Sequence, residues 1–325
     1  MAGSPRRVTI VGFPDVELLD VACPADVLDA ANRHGARPPY EIRLATIDGQ
    51  AISTCSGLVL QPHLRLDQVA GELDTLVVAG GWGSTTAASD ERVLAHIRRL
   101  AQTSRRVASV CTGAEVLAAA GLLNGRRATT HWRWAAKLAD AYPLVTVDPV
   151  PLYIQHGNVY TAAGVTSGLD LTMALVEADH GPTLAREVAR SLVTYLQRPG
   201  NQAQVSLFLA GPPPEHREVR DLTAYIAEHL DEDLGTPALA ARAGISTRQL
   251  TRLFDAHLGT TPGKYVRTVR TEHAARMLSG TDLPLATIAR RCGFGSTETL
   301  RQAFLDHFDT PPSAYRRVHV RQAYG

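Results

Sequence analysis

A duplication in the C-terminal part of this chain constrains its fold more than any other feature. Ala240, Ala243, Gly244 and Ile245 recur as Ala289, Cys292, Gly293 and Phe294, an offset of 49 (293 − 244). One residue is then inserted. Leu250, Phe254, His257, Pro262 and Tyr265 recur as Leu300, Phe304, His307, Pro312 and Tyr315, an offset of 50 (304 − 254). Self-similarity that covers apolar, glycine and proline positions together marks a repeated structural unit.

Each copy reads as a helix-turn-helix. A short apolar helix (238–243, then 285–292) runs into a glycine able to supply a left-handed cap. Ser246 and Ser296 are placed to N-cap a second helix, which buries Leu250 and Phe254, or Leu300 and Phe304, at i, i+4 spacing. The opposite face is polar: Thr247, Arg248, Thr251 and Arg252 in one copy, Thr297, Glu298, Arg301 and Gln302 in the other. Such a helix N-terminus suits the major groove, where Arg reads guanine and Thr reads a methyl group or a phosphate. From Thr236 onward there are thirteen Lys and Arg against six Asp and Glu, a surplus that suits a polyanion. One copy alone reads equally well as a small bundle with a solvated charged face. Two copies joined by an amphipathic helix over 266–283, with Val269, Ala274, Met277 and Leu278 on one side, favour double-stranded DNA. Their second helices would enter successive major grooves about 34 Å apart.

The stretch from about Val219 to Arg317, with its GFGSTETLRQAF and DTPPSAYR segments, resembles the DNA-binding domain of the AraC/XylS transcription regulators. That family commonly has Arg at the position of Gln302 and Gly at that of Asp309. The first departure shifts the expected base preference. The second keeps the turn, because Asp tolerates a left-handed conformation.

The remainder of the chain alternates strands and helices. Apolar runs at Val8–Phe13, Tyr40–Thr46, Leu76–Gly81 and Arg106–Val110 read as buried strands. Helical segments at 19–32, 90–101, 113–120, 132–141, 167–179 and 184–196 lie between and after them. Residues 52–60 read as a hairpin, and further strands are expected at 127–130, 144–147, 152–155 and 159–162. This order specifies a flavodoxin-like α/β domain, a parallel sheet covered on both faces, over residues 1–197. A Pro- and Gly-rich linker over 198–216 then leads to an all-α domain with two helix-turn-helix units over 217–325. A length of 325 residues, with 45% hydrophobic and 20% charged residues, fits two globular domains. The four cysteines show no metal spacing, so reduced thiols in a cytoplasmic chain are expected, with no metal or other cofactor. No apolar run of about 18 residues predicts a membrane span.

The chemistry concentrates at VASVCTGAEVL, where Cys111 stands between an apolar strand and a small-residue helix. That is the layout of a nucleophile elbow, and a helix N-terminus there favours thiolate over thiol. The amides of Thr112 and Gly81 are candidates for an oxyanion hole. His131 ends the next predicted strand at the same sheet edge, and Asp20 opens the first helix beside it. Taken singly, Cys111 reads as a small core residue, His131 as a structural histidine and Asp20 as a helix N-cap. Their convergence on adjacent strand ends is what singles them out.

Residues from about Arg7 to Leu196 resemble the ThiJ/PfpI superfamily, with its glutamine-amidotransferase-like fold. The resemblance places Asp20, Cys111 and His131 on that family's acid, elbow cysteine and histidine, and Gly80–Gly81 on its oxyanion turn. Asp20 stands where the family has Glu, one methylene short of the thiol, which weakens the case for a catalyst. The join to an AraC-type module is similar to the GlxA class of regulators. It implies a transcription regulator whose first domain senses a small nitrogen-containing or carbonyl metabolite and forms a homodimer, with RNA polymerase a candidate further partner. Two alternatives stay open: a cysteine-dependent amidase or deglycase fused to a DNA-binding module, and a Cys111 redox sensor.

Overall fold

The computed structural model describes residues 4–194, 198, 200, 204, 216–308 and 310–320. Its contacts divide the chain into two compact units, one up to Gln204 and one beyond it.

The first unit is built on β1 (Arg6–Val11), β2 (Tyr40–Thr46), β3 (Ile52–Ser53), β4 (Val59–Leu60), β5 (Leu64–Arg65), β6 (Leu73–Val78), β7 (Ser104–Val110), β8 (Arg127–Ala128), β9 (Thr146–Val147), β10 (Tyr153–His156) and β11 (Val159–Ala162). Seven of these form one sheet in the order β10-β11-β7-β6-β1-β2-β5. All neighbours in it run parallel except β10 and β11, which are joined as an antiparallel hairpin by the HGN turn. Period-2 alternation sends side chains to opposite faces. Val8, Ile10, Ala108 and Val110 pack on one side with α1 (Leu18–Arg33), which meets the C-terminal α6 (Thr166–His180) and α7 (Pro182–Ser191) there. Val11, Leu76, Val78 and Val107 pack on the other with α2 (Ser84–Ser89), α3 (Glu91–Gln102), α4 (Gly113–Ala119) and α5 (Ala135–Ala141).

Three sequence expectations change here. The strand expected over 127–130 shortens to β8, which pairs with β9 outside the main sheet. Thr129 instead uses its amide to reach the Thr161 hydroxyl, and so leaves the ladder. The helix expected over 132–141 opens as a 3₁₀ turn at Trp132–Trp134 before α5 begins. The sheet is not wholly parallel, because β10 reverses. Helix α2 was not anticipated, since STTAAS carries no apolar periodicity to reveal it. The end of the helix expected to run to Leu196, most of the linker, and Asp309 lie outside the described residues.

The second unit is helical: α8 (Arg217–Glu228), α9 (Thr236–Ala243), α10 (Thr247–Leu258), α11 (Pro262–Gly280), α12 (Leu285–Arg291), α13 (Thr297–Phe308) and α14 (Pro312–Val320). It has two small cores. Leu222, Leu239, Leu250 and Phe254 pack with Tyr265, Val266 and Val269 from the first half of α11. Ile288, Leu300, Phe304 and Tyr315 pack with Ala274, Ala275 and Leu278 from its second half. The duplication extends to ring geometry. Phe254 meets Tyr265 edge-on at 5.7 Å and 81°, and Phe304 meets Tyr315 at 5.3 Å and 79°. Both Phe side chains are fully buried, and truncating either to Ala would cost about 3–5 kcal/mol. No helix among the described residues is long and apolar enough to cross a membrane.

Candidate functional site

In the second unit the caps decide where the outward helices start. Gly244 and Gly293 are left-handed, with φ of 67° and 70°, and turn the chain sharply after α9 and α12. Ser246 Oγ then accepts from the Gln249 amide (3.2 Å), and Ser296 Oγ from the Thr299 amide (3.0 Å). With Leu250, Phe254, Leu300 and Phe304 inside, the i, i+3, i+4 geometry turns the opposite stripe outward. Thr247, Arg248, Thr251 and Arg252 on α10 are exposed, and so are Ser296, Thr297, Glu298, Arg301 and Gln302 around α13. A groove beside α10 is lined by Ser246, Arg248, Gln249, Thr251, Arg252 and Thr261, together with Asp255.

Contacts from α11 tie the two halves together. Arg270 donates to the carbonyls of Leu230 (3.0 Å) and Glu232 (2.8 Å), and Arg267 pairs with Asp306 at 2.5 Å. Arg270 is half-buried, and its guanidinium is held by backbone oxygens rather than by a carboxylate.

In the first unit Cys111 has φ of 56°, the strained elbow its position between β7 and α4 implied. Its side chain is buried, and a Cβ placed on Gly164 would come within 2.9 Å of the sulfur. Asp20 is fully buried beside it. Asp20 Oδ2 accepts from the Gly80 amide (3.1 Å) and Oδ1 from the Val165 amide (2.9 Å). The residue therefore ties α1 to the end of β6 and to the turn before α6. The N-cap position of α1 is Glu17, so Asp20 caps no helix of its own. Burial pushes the Asp20 carboxyl from 3.8 up to about 7, against the two amide donors.

The electrostatics of the thiol reverse the sequence expectation. Burial, followed by the neighbouring Asp20, pushes the Cys111 thiol far above its ordinary value, and the Thr112 amide only partly opposes this. Desolvation outweighs the pull of the seven-residue α4, so the resting form is the neutral thiol. The expected oxyanion pair is also broken up. The Gly81 amide donates to Thr112 Oγ1 (2.8 Å), whose hydroxyl donates back to the Gly81 carbonyl (2.9 Å).

His131 follows the shortened strand and is only half-buried. Its Nδ1 accepts from the Arg133 amide (3.3 Å), its ring stacks on Trp132, and no hydrogen bond among the described residues joins it to Cys111. Burial and then Arg133 hold its imidazole below the usual value, hence neutral at pH 7. The link from this loop to the elbow runs through Thr130, whose hydroxyl donates to the Cys111 carbonyl (2.8 Å). Gln204 holds the same loop, accepting from the Trp132 amide (2.9 Å) and donating to the Thr130 carbonyl (2.9 Å).

Sequence reasoning missed the surroundings of this edge. Trp82, 66% exposed, meets Trp134 edge-on at 5.7 Å, and Lys137 lies 5.0 Å from the Trp134 ring centre. Glu115 accepts from Ser84 (3.1 Å) and Thr85 (3.2 Å) and pairs with Lys137 (3.5 Å). Trp82 directly follows the glycine pair and Trp134 lies three residues beyond His131, which was the available signal. Among the described residues no cluster of three or more His, Cys, Asp or Glu is placed to hold a metal ion.

The DJ-1/PfpI family model matches residues 6–178, and a helix-turn-helix domain model matches residues 239–318. The chain is 30% identical over 319 residues to the HTH-type transcriptional regulator GlxA of Rhizobium meliloti, covering 96% of this chain and 97% of that protein. It is 36% identical over 181 residues to an isonitrile hydratase of Pseudomonas putida, covering 55% of this chain and 75% of the enzyme. Among solved structures, a ThiJ/PfpI family protein from Pseudomonas syringae aligns over 75% of this chain and 93% of its own, with a TM-score of 0.56 at 24% identity.

Proposed function

Because this chain belongs to the DJ-1/PfpI family and ends in an AraC-type helix-turn-helix domain, it is a DNA-binding transcriptional regulator, and we propose that its first unit senses a small metabolite and dimerises. The metabolite, nitrogen-containing or carbonyl in character, binds at the carboxyl edge of the sheet that carries Cys111, Asp20 and His131, with Trp82 and Trp134 as candidate further contacts. Binding shifts the population of homodimers competent to engage two operator half-sites, in the cytoplasm and within reach of RNA polymerase. The observation that carries the reading is the pair of matched, solvent-facing polar stripes on α10 and α13, each backed by its own core.

The test is binding of the full chain to duplexes enriched from a random library, followed against salt. Affinity is expected to fall steeply with salt. Arg252→Ala is expected to lose about 1–3 kcal/mol on the enriched duplex. If the protein shows no preference for any enriched duplex over random DNA at moderate salt, the reading is lost.

A second reading, a cysteine-dependent amidase or deglycase, has in its favour the positive-φ elbow at Cys111 and the likeness to a hydratase over 55% of the chain. It is the weaker one, because the thiolate is the nucleophile and burial keeps Cys111 neutral. The Gly81 amide is also committed to Thr112. The same neutral thiol counts against a redox sensor.

A further inference from the structure

The two outward helices occupy equivalent positions in a duplicated scaffold, yet they carry opposite charge. With the offset of 50, Arg248 corresponds to Glu298 (248 + 50) and Arg252 to Gln302 (252 + 50). Arg248 and Glu298 each stand two residues beyond the capping serine, in the first turn that a major-groove helix presents to base edges. Over the whole helices, α10 carries Arg248, Arg252 and Asp255 for a net +1. Helix α13 carries Glu298, Arg301 and Asp306 for a net −1, a difference of 2.

The side chains follow the charges. Among the described residues neither Arg248 nor Arg252 makes an ion pair or a side-chain hydrogen bond, so both are free for a duplex. On α13 the polar groups satisfy one another. Arg301 Nε donates to Glu298 at 3.0 and 3.2 Å, and Gln302 Nε2 donates to Asp306 Oδ1 at 2.8 Å. Asp306 is in turn held by Arg267. An exposed i, i+3 ion pair of this kind is weak, so exchanging it costs little. The carboxylate itself is another matter, since it meets phosphate repulsion on any duplex that offers it no hydrogen-bond donor.

Resting on the regulator reading, we propose that Glu298 is the specificity-determining residue of the second reading helix. It penalises duplexes without a matching donor and accepts from the amino group of a cytosine in the major groove, which frees Arg301 to read a guanine. Helix α10 then supplies most of the attraction to DNA, and α13 most of the discrimination. The chemistry follows the donor and acceptor code of the groove, where a carboxylate pairs with cytosine N4 and an arginine with guanine O6 and N7.

The experiment is selection from random duplexes with the full chain as wild type, Glu298→Ala and Glu298→Gln, with Arg252→Ala as a control on the first helix. Both Glu298 variants change an exposed side chain, and unchanged melting curves check the fold. Each is expected to bind unselected duplex roughly threefold or more tighter than wild type, because a repelling charge is gone. In the half-motif under α13, Glu298→Ala is expected to lose the cytosine preference and Glu298→Gln to exchange it for adenine, which glutamine reads. The half-motif under α10 is expected to stay the same. Unchanged affinity for unselected duplex overturns the proposal, and so does an unchanged second half-motif. If wild type enriches no motif at all, the regulator reading fails and takes this proposal with it.

Discussion

Asp20 is the residue on which the edge of the first unit turns. It is fully buried, its two oxygens fix amides 60 and 145 residues away, and the Cys111 thiol lies against it. No local pattern predicts such a role, because a chain read in order shows only an acid near the start of a helix. Its pH behaviour can be predicted with sign. The folded pKa is raised to about 7 from 3.8, mainly by burial, so between those values the folded chain keeps a proton that the unfolded chain has released. Stability from this group is therefore full near pH 4 and is lost as pH rises through about 7, by up to about 4 kcal/mol. Glu17, which faces the site, acts in the same direction. Melting of wild type and Asp20→Asn across pH 5 to 8 is expected to show wild type losing ground to the variant as pH rises. Parallel curves would show that burial does not hold the carboxyl neutral.

Among the elements, the two turns between paired helices share a left-handed glycine and are unequal in packing. A Cβ on Gly244 would meet nothing within 4 Å, whereas one on Gly293 would lie 2.0 Å from the Leu230 carbonyl oxygen and 2.5 Å from Arg270. Gly244→Ala is expected to cost about 1–2 kcal/mol, the penalty of a left-handed alanine. Gly293→Ala is expected to cost distinctly more, since Leu230 and Arg270 must move as well. Chemical denaturation of the two variants measures the difference, and equal losses would contradict the packing. The caps, the glycines and the apolar spacing of these helices were legible in the sequence because each is a local signal. The strand expected over 127–130 was misread because β propensity in a short segment says that a strand forms, and neither how long it runs nor which sheet receives it. The two-residue β5 and the polar α2 gave no pattern to read. The Glu298–Arg301 pair was in plain view at i, i+3 spacing, but its meaning needed the comparison with Arg248.

At the scale of the molecule, the two units divide the work. A sheet edge in the first holds a buried acid against a neutral thiol, and the second presents two reading helices on separate cores. Within the second unit, α11 gives its first half to one core and its second half to the other. Its 19 residues make a rod of about 28 Å, close to one turn of duplex DNA. On the regulator reading, that length would let both helices reach the same face of a duplex. Hydroxyl-radical footprinting of the full chain on an enriched duplex tests it directly. The account predicts two protected patches per bound unit, centred about 10 base pairs apart on one face, with Arg252→Ala erasing the patch under α10. A single patch, or two patches offset by about half a turn onto opposite faces, would contradict it.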